Sequence, residues 1–195
     1  MAGFVRRVVT GHDRNGKAIV ISDGLAPTVK THPLLPGHRS TEIWKTDAAP
    51  APIFATEVDP TPGPRTLHPP PQGTVIRISE ITPESEEIRK LTPEQARESF
   101  KASGNEAAST YERGGRHPMM HRTQTIDYAV VLEGEITLLL DDEDVQLKTG
   151  DVVIQRGTNH AWSNRSGKLV RMLYVLIDGR FAPELAALFK TGSGH

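Results

Sequence analysis

Two histidines and one carboxylate stand out by type and spacing. Gly115 is followed by five residues and then His121; one residue intervenes before Thr123, three more before Asp127 and six more before Gly134. Downstream, Gly150 opens a strand-like run, Gly157 closes it, and His160 and Asn164 follow. Side chains alternate faces along a strand, so an unbulged strand presents His121, Thr123 and Asp127 on one face, and a second strand presents His160 with Trp162. Imidazoles and a carboxylate brought together either hold a metal or move a proton. The chain has no cysteine. That excludes disulfides, thiolate nucleophiles and sulfur-ligated metals, and leaves His, carboxylate and hydroxyl as the ligand types.

The elements that must position these residues are mostly strands. Runs rich in β-branched and apolar residues recur at 127–132, 135–140, 145–147, 151–155, 160–163 and 169–178. Turn residues separate them at Glu133-Gly134, 141–144, Thr149-Gly150 and Ser166-Gly167. Many short strands with turns between them predict an all-β barrel or sandwich. Upstream, 5–9 and 17–22 flank the turn sequence His12-Asp13-Arg14-Asn15-Gly16 and predict a hairpin, with a further strand at 41–45. Residues 47–74 are dense in proline, which bars helix and central strand, and predict an arm or linker. A strand is expected at 74–81, and one or two short helices at 84–103, interrupted near Pro93. A last helix is expected at 181–189.

The glycine and histidine spacing resembles the cupin superfamily. That family's first motif is Gly, five residues, His-x-His, three or four residues, Glu, six residues, Gly; the chain matches it at Gly115, His121 and Gly134, with Thr123 in place of the second His and Asp127 in place of the Glu. The second motif is matched at Gly150, Gly157, His160 and Asn164, with one residue deleted. The resemblance covers roughly residues 73–178 and implies a double-stranded β-helix, a jelly-roll barrel, with its site inside. The organisation expected is N-terminal strands and a Pro-rich arm over 1–72, the barrel over 73–178, and a C-terminal helix and tail over 179–195. The stretches MHRTQTIDYAVVLEGE and GDVVIQRGTNHAWSN are similar to those of small cupins without a settled activity.

The resemblance implies one divalent metal, Fe, Mn, Zn or Ni, on His121, Asp127 and His160, with Thr123 a weak fourth ligand. Two His and one carboxylate are the set of non-haem Fe(II) oxygenases. The alternative is that His121 and His160 hydrogen-bond Asp127 in a polar cavity without metal. Trp162 and Tyr174, with Thr123, are candidate pocket walls, though core filling accounts for the aromatics equally well. His117 reads as a solvated loop residue, Arg156 as a surface arginine, Met119 and Met120 as packing, and the acidic run at 141–144 as a hairpin turn.

With 195 residues, 36% of them hydrophobic and 24% charged, the chain suits a single core, and its formal net charge of −1 gives no field favouring nucleic acid or an anionic membrane. The N-terminal stretch lacks the apolar run of a signal peptide and no stretch is long enough for a membrane helix, so the cytoplasm is expected. The strand around Tyr128 is apolar on both faces, which calls for an outer cover; the N-terminal strands or a second subunit would supply it, and a homodimer is expected. Three functions remain open: a metalloenzyme on a small organic molecule (an oxygenase ahead of a lyase, isomerase or decarboxylase), a non-catalytic small-molecule binder, and a metal-free enzyme with His121 or His160 as general base oriented by Asp127.

Overall fold

The computed structural model describes residues 4–32 and 35–191. Its elements are eleven strands and three helices: β1 Arg6–His12, β2 Ala18–Leu25, β3 Val29–His32, β4 Leu35–Thr46, β5 Thr74–Ile81, α1 Glu86–Arg89, α2 Pro93–Ala102, β6 Thr125–Glu133, β7 Glu135–Leu139, β8 Asp144–Lys148, β9 Val152–Arg156, β10 Ala161–Ser163, β11 Val170–Asp178 and α3 Pro183–Thr191. Strands pair in a six-stranded antiparallel sheet of order β3-β4-β5-β11-β6-β9, a three-stranded sheet of order β10-β7-β8, and a separate hairpin β1-β2. The two larger sheets form the jelly-roll barrel. The main sheet takes β3 and β4 from the segment expected to pack against the barrel, so the barrel's inner wall begins well before residue 73. No helix among the described residues is long and apolar enough to cross a membrane.

Strand alternation decides what faces inward. Along β6 Thr125, Asp127, Ala129 and Val131 are buried; β5 contributes Val75, Arg77, Ser79 and Ile81; β11 contributes Val170, Met172 and Leu176. One half of the interior is apolar, where Ala129, Val131, Ile136, Leu138, Leu147, Val170 and Met172 form the core. The register sets the other half. Glu42 lies opposite Arg77, Arg77 opposite Tyr174, and Asp127 opposite Leu176 and Gln155. Residues opposite one another have Cβ atoms about 5 Å apart, so the sheet carries a row of polar side chains across its inner face.

Two local signals shape the surroundings. Thr92 caps α2 in a reciprocal pair with Gln95, and Pro93 occupies the first turn, where its missing N–H costs nothing; it starts this helix instead of breaking a longer one. Ala96, Ser99 and Phe100 form the buried face of α2. Gly157, φ 61°, sits under Phe181, where a Cβ would lie 2.6 Å from the ring. The motif glycine is therefore required by both its backbone conformation and the approach of the C-terminal segment.

The outer face of the main sheet is apolar and open. Ile126 and Tyr128 of β6, and Val152 and Ile154 of β9, are exposed, at 40%, 42%, 59% and 53%. The β1-β2 hairpin does not cover them: Arg7 pairs with Asp59, donates to the Ile43 carbonyl and lies over the Trp44 ring, near the other end of the sheet. β9 is also an edge strand, with one row of backbone groups unpaired within the sheet. A second copy is the expected cover. Sedimentation should give about twice the 21.4 kDa chain mass, and Ile154→Glu, a charge in the middle of the face, should shift the protein to monomer without lowering its β content. A monomeric wild-type protein would remove this assignment.

Candidate active site

His121, Asp127, His160, Trp162 and Tyr174 all line one cavity of about 170 Å³ between the two sheets. Thr123 does not line it. The chain leaves strand geometry between His121 and β6, so the parity expected from the sequence fails there; Thr123 is buried elsewhere, with its hydroxyl 2.7 Å from that of Thr125. His121 enters the cavity by a different route. It forms an isolated antiparallel pair with His160, each main-chain N–H donating to the other residue's carbonyl at 2.9 and 3.0 Å. That pairing sets the two imidazoles side by side, with ring centroids 4.3 Å apart.

Each of these rings is fixed by its own backbone. His121 Nδ1 lies 3.0 Å from the Met119 carbonyl, and His160 Nδ1 lies 3.0 Å from the Thr158 carbonyl. A carbonyl only accepts, so Nδ1 carries the proton in both rings and Nε2 carries the lone pair. Burial pushes His121 down to about 4, with the positive charge of Arg65 adding to the effect and the bond to Met119 opposing it. Burial and the neighbouring His121 push His160 down to about 3. His121 is half-buried and lines the cavity. Both imidazoles are neutral at neutral pH. Aromatic rings continue the line: Phe100 lies 5.1 Å from His121, Trp162 5.9 Å from His160, and Tyr174 5.7 Å from Trp162.

Asp127 behaves differently. Burial raises its carboxyl to about 6, against the Thr125 hydroxyl and the charge of Arg77, which pull the other way. Its Oδ1 is buried and has no hydrogen-bond partner within the protein. It does not orient either histidine and is not hydrogen-bonded to them, which corrects both of those expectations; backbone carbonyls do the orienting. Burial also pushes the Tyr174 phenol up, reinforced by Asp127, so it stays protonated.

The metal centre implied by the motif does not fit the side chains as they stand. Among the described residues no group of three or more His, Asp or Glu side chains is placed to hold a metal ion. The two imidazoles have the right tautomer, but Asp127 lies with Arg77 and Tyr174 on the main sheet, and the Thr123 hydroxyl is taken up by Thr125.

Sequence reasoning missed several residues of this cavity. Arg77 was legible: it shares parity with Val75, Ser79 and Ile81 in a strand whose limits the sequence marks. Arg65, from the Pro-rich arm, and His38 also line the cavity, and no periodic signal marks either. Burial, with Arg65 and His32 nearby, pushes His38 down to about 4. His117, expected to be solvated, is buried: its Nδ1 accepts the Met119 N–H and its Nε2 donates to Glu84 at 3.1 Å. Burial raises Glu84, but hydrogen bonds from His117, Ser163 and Arg89 outweigh it and bring the carboxyl down to about 2.

These shifts fix how stability varies with pH. His38, His121 and His160 remain neutral in the folded chain while their unfolded counterparts gain protons below about 6.5. Acidification from pH 7 to 5 therefore favours the unfolded state. Asp127 has the opposite sign: between about 4 and 6 the folded chain holds a proton that the unfolded one lacks, so this group destabilises the fold above pH 6 and relieves it below. The melting temperature should fall by several degrees from pH 7 to 5. Asp127→Asn should raise stability at pH 8 by about 2 kcal/mol and steepen the acid fall, as read by thermal melts across pH.

Residues 108–176 match the family model for the cupin domain. Two proteins of Diaporthe leptostromiformis, phomopsin biosynthesis cluster proteins C' and D, are each 51% identical to the chain over 70 residues, covering 35% of this chain and 37% of the relative. The match thus spans little more than a third of those proteins. The cupin-domain-containing oxidoreductase fogC of Aspergillus ruber is 27% identical over 194 residues, covering 91% of this chain and 75% of that protein. Among solved structures, the Cnp3 cupin domain of Schizosaccharomyces pombe is 11% identical, covers 97% of this chain and 96% of that chain, and has a TM-score of 0.42. Residues 108–176, which span most of the barrel's later strands, are thus similar to the cupin domain.

Proposed function

We propose that this cupin is an enzyme that moves a proton on a small organic molecule seated in the barrel, with Asp127 as the proton-transfer group and the Nε2 atoms of His121 and His160 as acceptors that hold a substrate hydroxyl. The observation that carries the reading is that Asp127, one carboxyl oxygen buried and without a partner, lines the same cavity as the two imidazoles; burial brings it to about 6 and them to about 4 and 3. A general base works best with a pKa near the operating pH. Asp127 meets that condition, whereas imidazoles so weakly basic serve as hydrogen-bond acceptors. A carboxylate without a partner on one oxygen, beside a protonated phenol and a guanidinium, suits abstraction of a proton next to a carbonyl, with the negative charge passing to the carbonyl oxygen. Isomerisation and elimination are the reaction classes that follow.

The relatives support an enzyme over a passive binder, since several are named cupin-domain-containing oxidoreductases. An oxygenase is the reading the motif suggests, and it needs a ligand set that the described side chains do not form.

A panel of candidate substrates tests the chemistry directly. Incubated in D₂O with small ketones, keto acids and hydroxy ketones, the wild-type protein should speed deuterium wash-in at the carbon beside the carbonyl, followed by proton NMR. Asp127→Asn should lose at least about 100-fold of that rate, and His160→Gln should keep more of it. Binding without any exchange across the panel would make the protein a binding module. One divalent ion per chain in protein purified without added metal, lost in His160→Ala, would replace the acid–base reading with a metal-dependent one.

A further inference from the structure

We propose that the cavity is built for a small organic carboxylate held by Arg65, on a body no larger than about one ring. The inference rests on the acid–base reading of the same cavity for which molecule is turned over, but the carboxylate subsite is defined by binding alone. Arg65 reaches the cavity from the Pro-rich arm. Its Nη1 donates to the Ser103 hydroxyl at 3.1 Å, its Nε is buried with no hydrogen-bond partner, and it has no ion pair with a carboxylate among the described residues. A guanidinium brought inside a protein normally meets a carboxylate or another acceptor on each buried N–H.

The neighbours do not supply that acceptor. Arg77, 2% exposed, donates to the Thr66 carbonyl at 2.9 Å and faces Glu42 at 3.6 Å, and its own Nε also lacks a hydrogen bond. Glu42 lies closest to Arg77, neither of its oxygens accepts a hydrogen bond, and its charge is also felt at Arg65. Asp127, at about 6, is a carboxylate at neutral pH and its charge acts on Arg77, while His38, His121 and His160 are neutral. Two guanidiniums and two carboxylates thus share this region, and neither carboxylate forms an ion pair with Arg65 among the described residues. Burial and the charge of Arg77 push Arg65 down to about 10, so it remains a cation at neutral pH. The Arg65 charge is also felt at His32, His38, His121 and Tyr174, which places it centrally among the cavity walls.

A bound carboxylate would supply the ion pair that Arg65 lacks among the described residues, its two oxygens matching the paired N–H donors of a guanidinium. The cavity, at about 170 Å³, is close to the size that admits a single benzene ring. The rings of Phe100, Trp162 and Tyr174 are also on its walls, giving an apolar flank for the rest of the molecule.

Calorimetric titration of the wild-type protein with benzoate, phenylacetate and succinate, against benzamide and phenylacetamide as uncharged matches, tests the subsite. At least one carboxylate should bind, and tighter than its amide by tenfold or more. Arg65→Met should remove that preference and leave amide affinity within about twofold; Arg65→Lys, which keeps the charge without the fork, should recover part of it. Asp127→Asn should retain carboxylate binding. No binding by any of the three acids at millimolar concentration, or equal binding of acid and amide, overturns the inference. Unchanged carboxylate affinity in a folded Arg65→Met protein does the same, and if that variant fails to melt cooperatively, Arg65→Gln is the variant that decides. The outcomes separate from those of the proton-transfer reading: carboxylate binding that survives while deuterium exchange is absent removes catalysis only, and exchange without acid preference removes the subsite only.

Discussion

Glu42 and Arg77 face each other inside the barrel with 3.6 Å between charged atoms, 1% and 2% exposed, and much of the cavity depends on that contact. Charges taken out of water cost several kcal/mol each unless an opposite charge and hydrogen bonds replace the lost hydration. The antiparallel register of β4 and β5 holds Glu42 opposite Arg77, and β11 then sets Tyr174 on the other side. Loss of either charged partner leaves the other stranded, at a cost of about 3–5 kcal/mol in comparable cases. The pair also sets the local field. Burial raises the Asp127 carboxyl, the Thr125 hydroxyl and then the Arg77 charge pull it back, and the balance leaves it at about 6.

The histidines follow a separate constraint. His160 immediately precedes β10 in the smaller sheet, and His121 lies just ahead of β6 in the larger one. Their mutual main-chain bonds tie the two sheets together at the cavity. Because each Nδ1 is spent on a carbonyl two residues back, the rings cannot turn without losing a buried hydrogen bond. The fold thus presents two Nε2 lone pairs as fixed acceptors, while the group that changes charge near neutral pH lies on the other wall. The acceptors are thus held rigid on one wall and the raised carboxyl of Asp127 stands on the other.

Much of the barrel was legible because its strands are short, alternate cleanly and are separated by turn residues that need left-handed backbone, as Gly134 and Gly157 do at φ 89° and 61°. His121, Asp127 and His160 were marked by motif spacing, but parity fails for His121, which lines the cavity through its pairing with His160. Thr123 was misplaced because parity holds only inside a strand, and β6 does not begin until Thr125. His117 was misjudged because its partner, Glu84, lies 33 residues away and nothing local announces the pair. Arg65 was invisible for a stronger reason. It comes from a segment without regular structure, whose path across the barrel is set by tertiary contacts such as the Arg65 bond to Ser103 on the turn after α2. Periodicity carries no information there.

β6 inverts the usual arrangement of a soluble sheet at its first half. Thr125 and Asp127 point inward, and Ile126 and Tyr128 point outward. A strand chosen only for stability would place the apolar residues inside and the polar ones in water. Each half of the inversion is costly by itself, since one buries a carboxyl without a full set of partners and the other exposes apolar surface. Both are resolved if each face has an occupant: a ligand within, and a second chain without. The two faces are also mechanically joined. Tyr128 lies opposite Val175 on β11, and its chain neighbour Asp127 lies opposite Leu176 on the other side of the same two strands. Burying the outer face restrains the strands whose inner face carries the carboxyl and the phenol. One sheet carries both faces, so a second chain packed behind Asp127 and Tyr174 would help to fix their geometry.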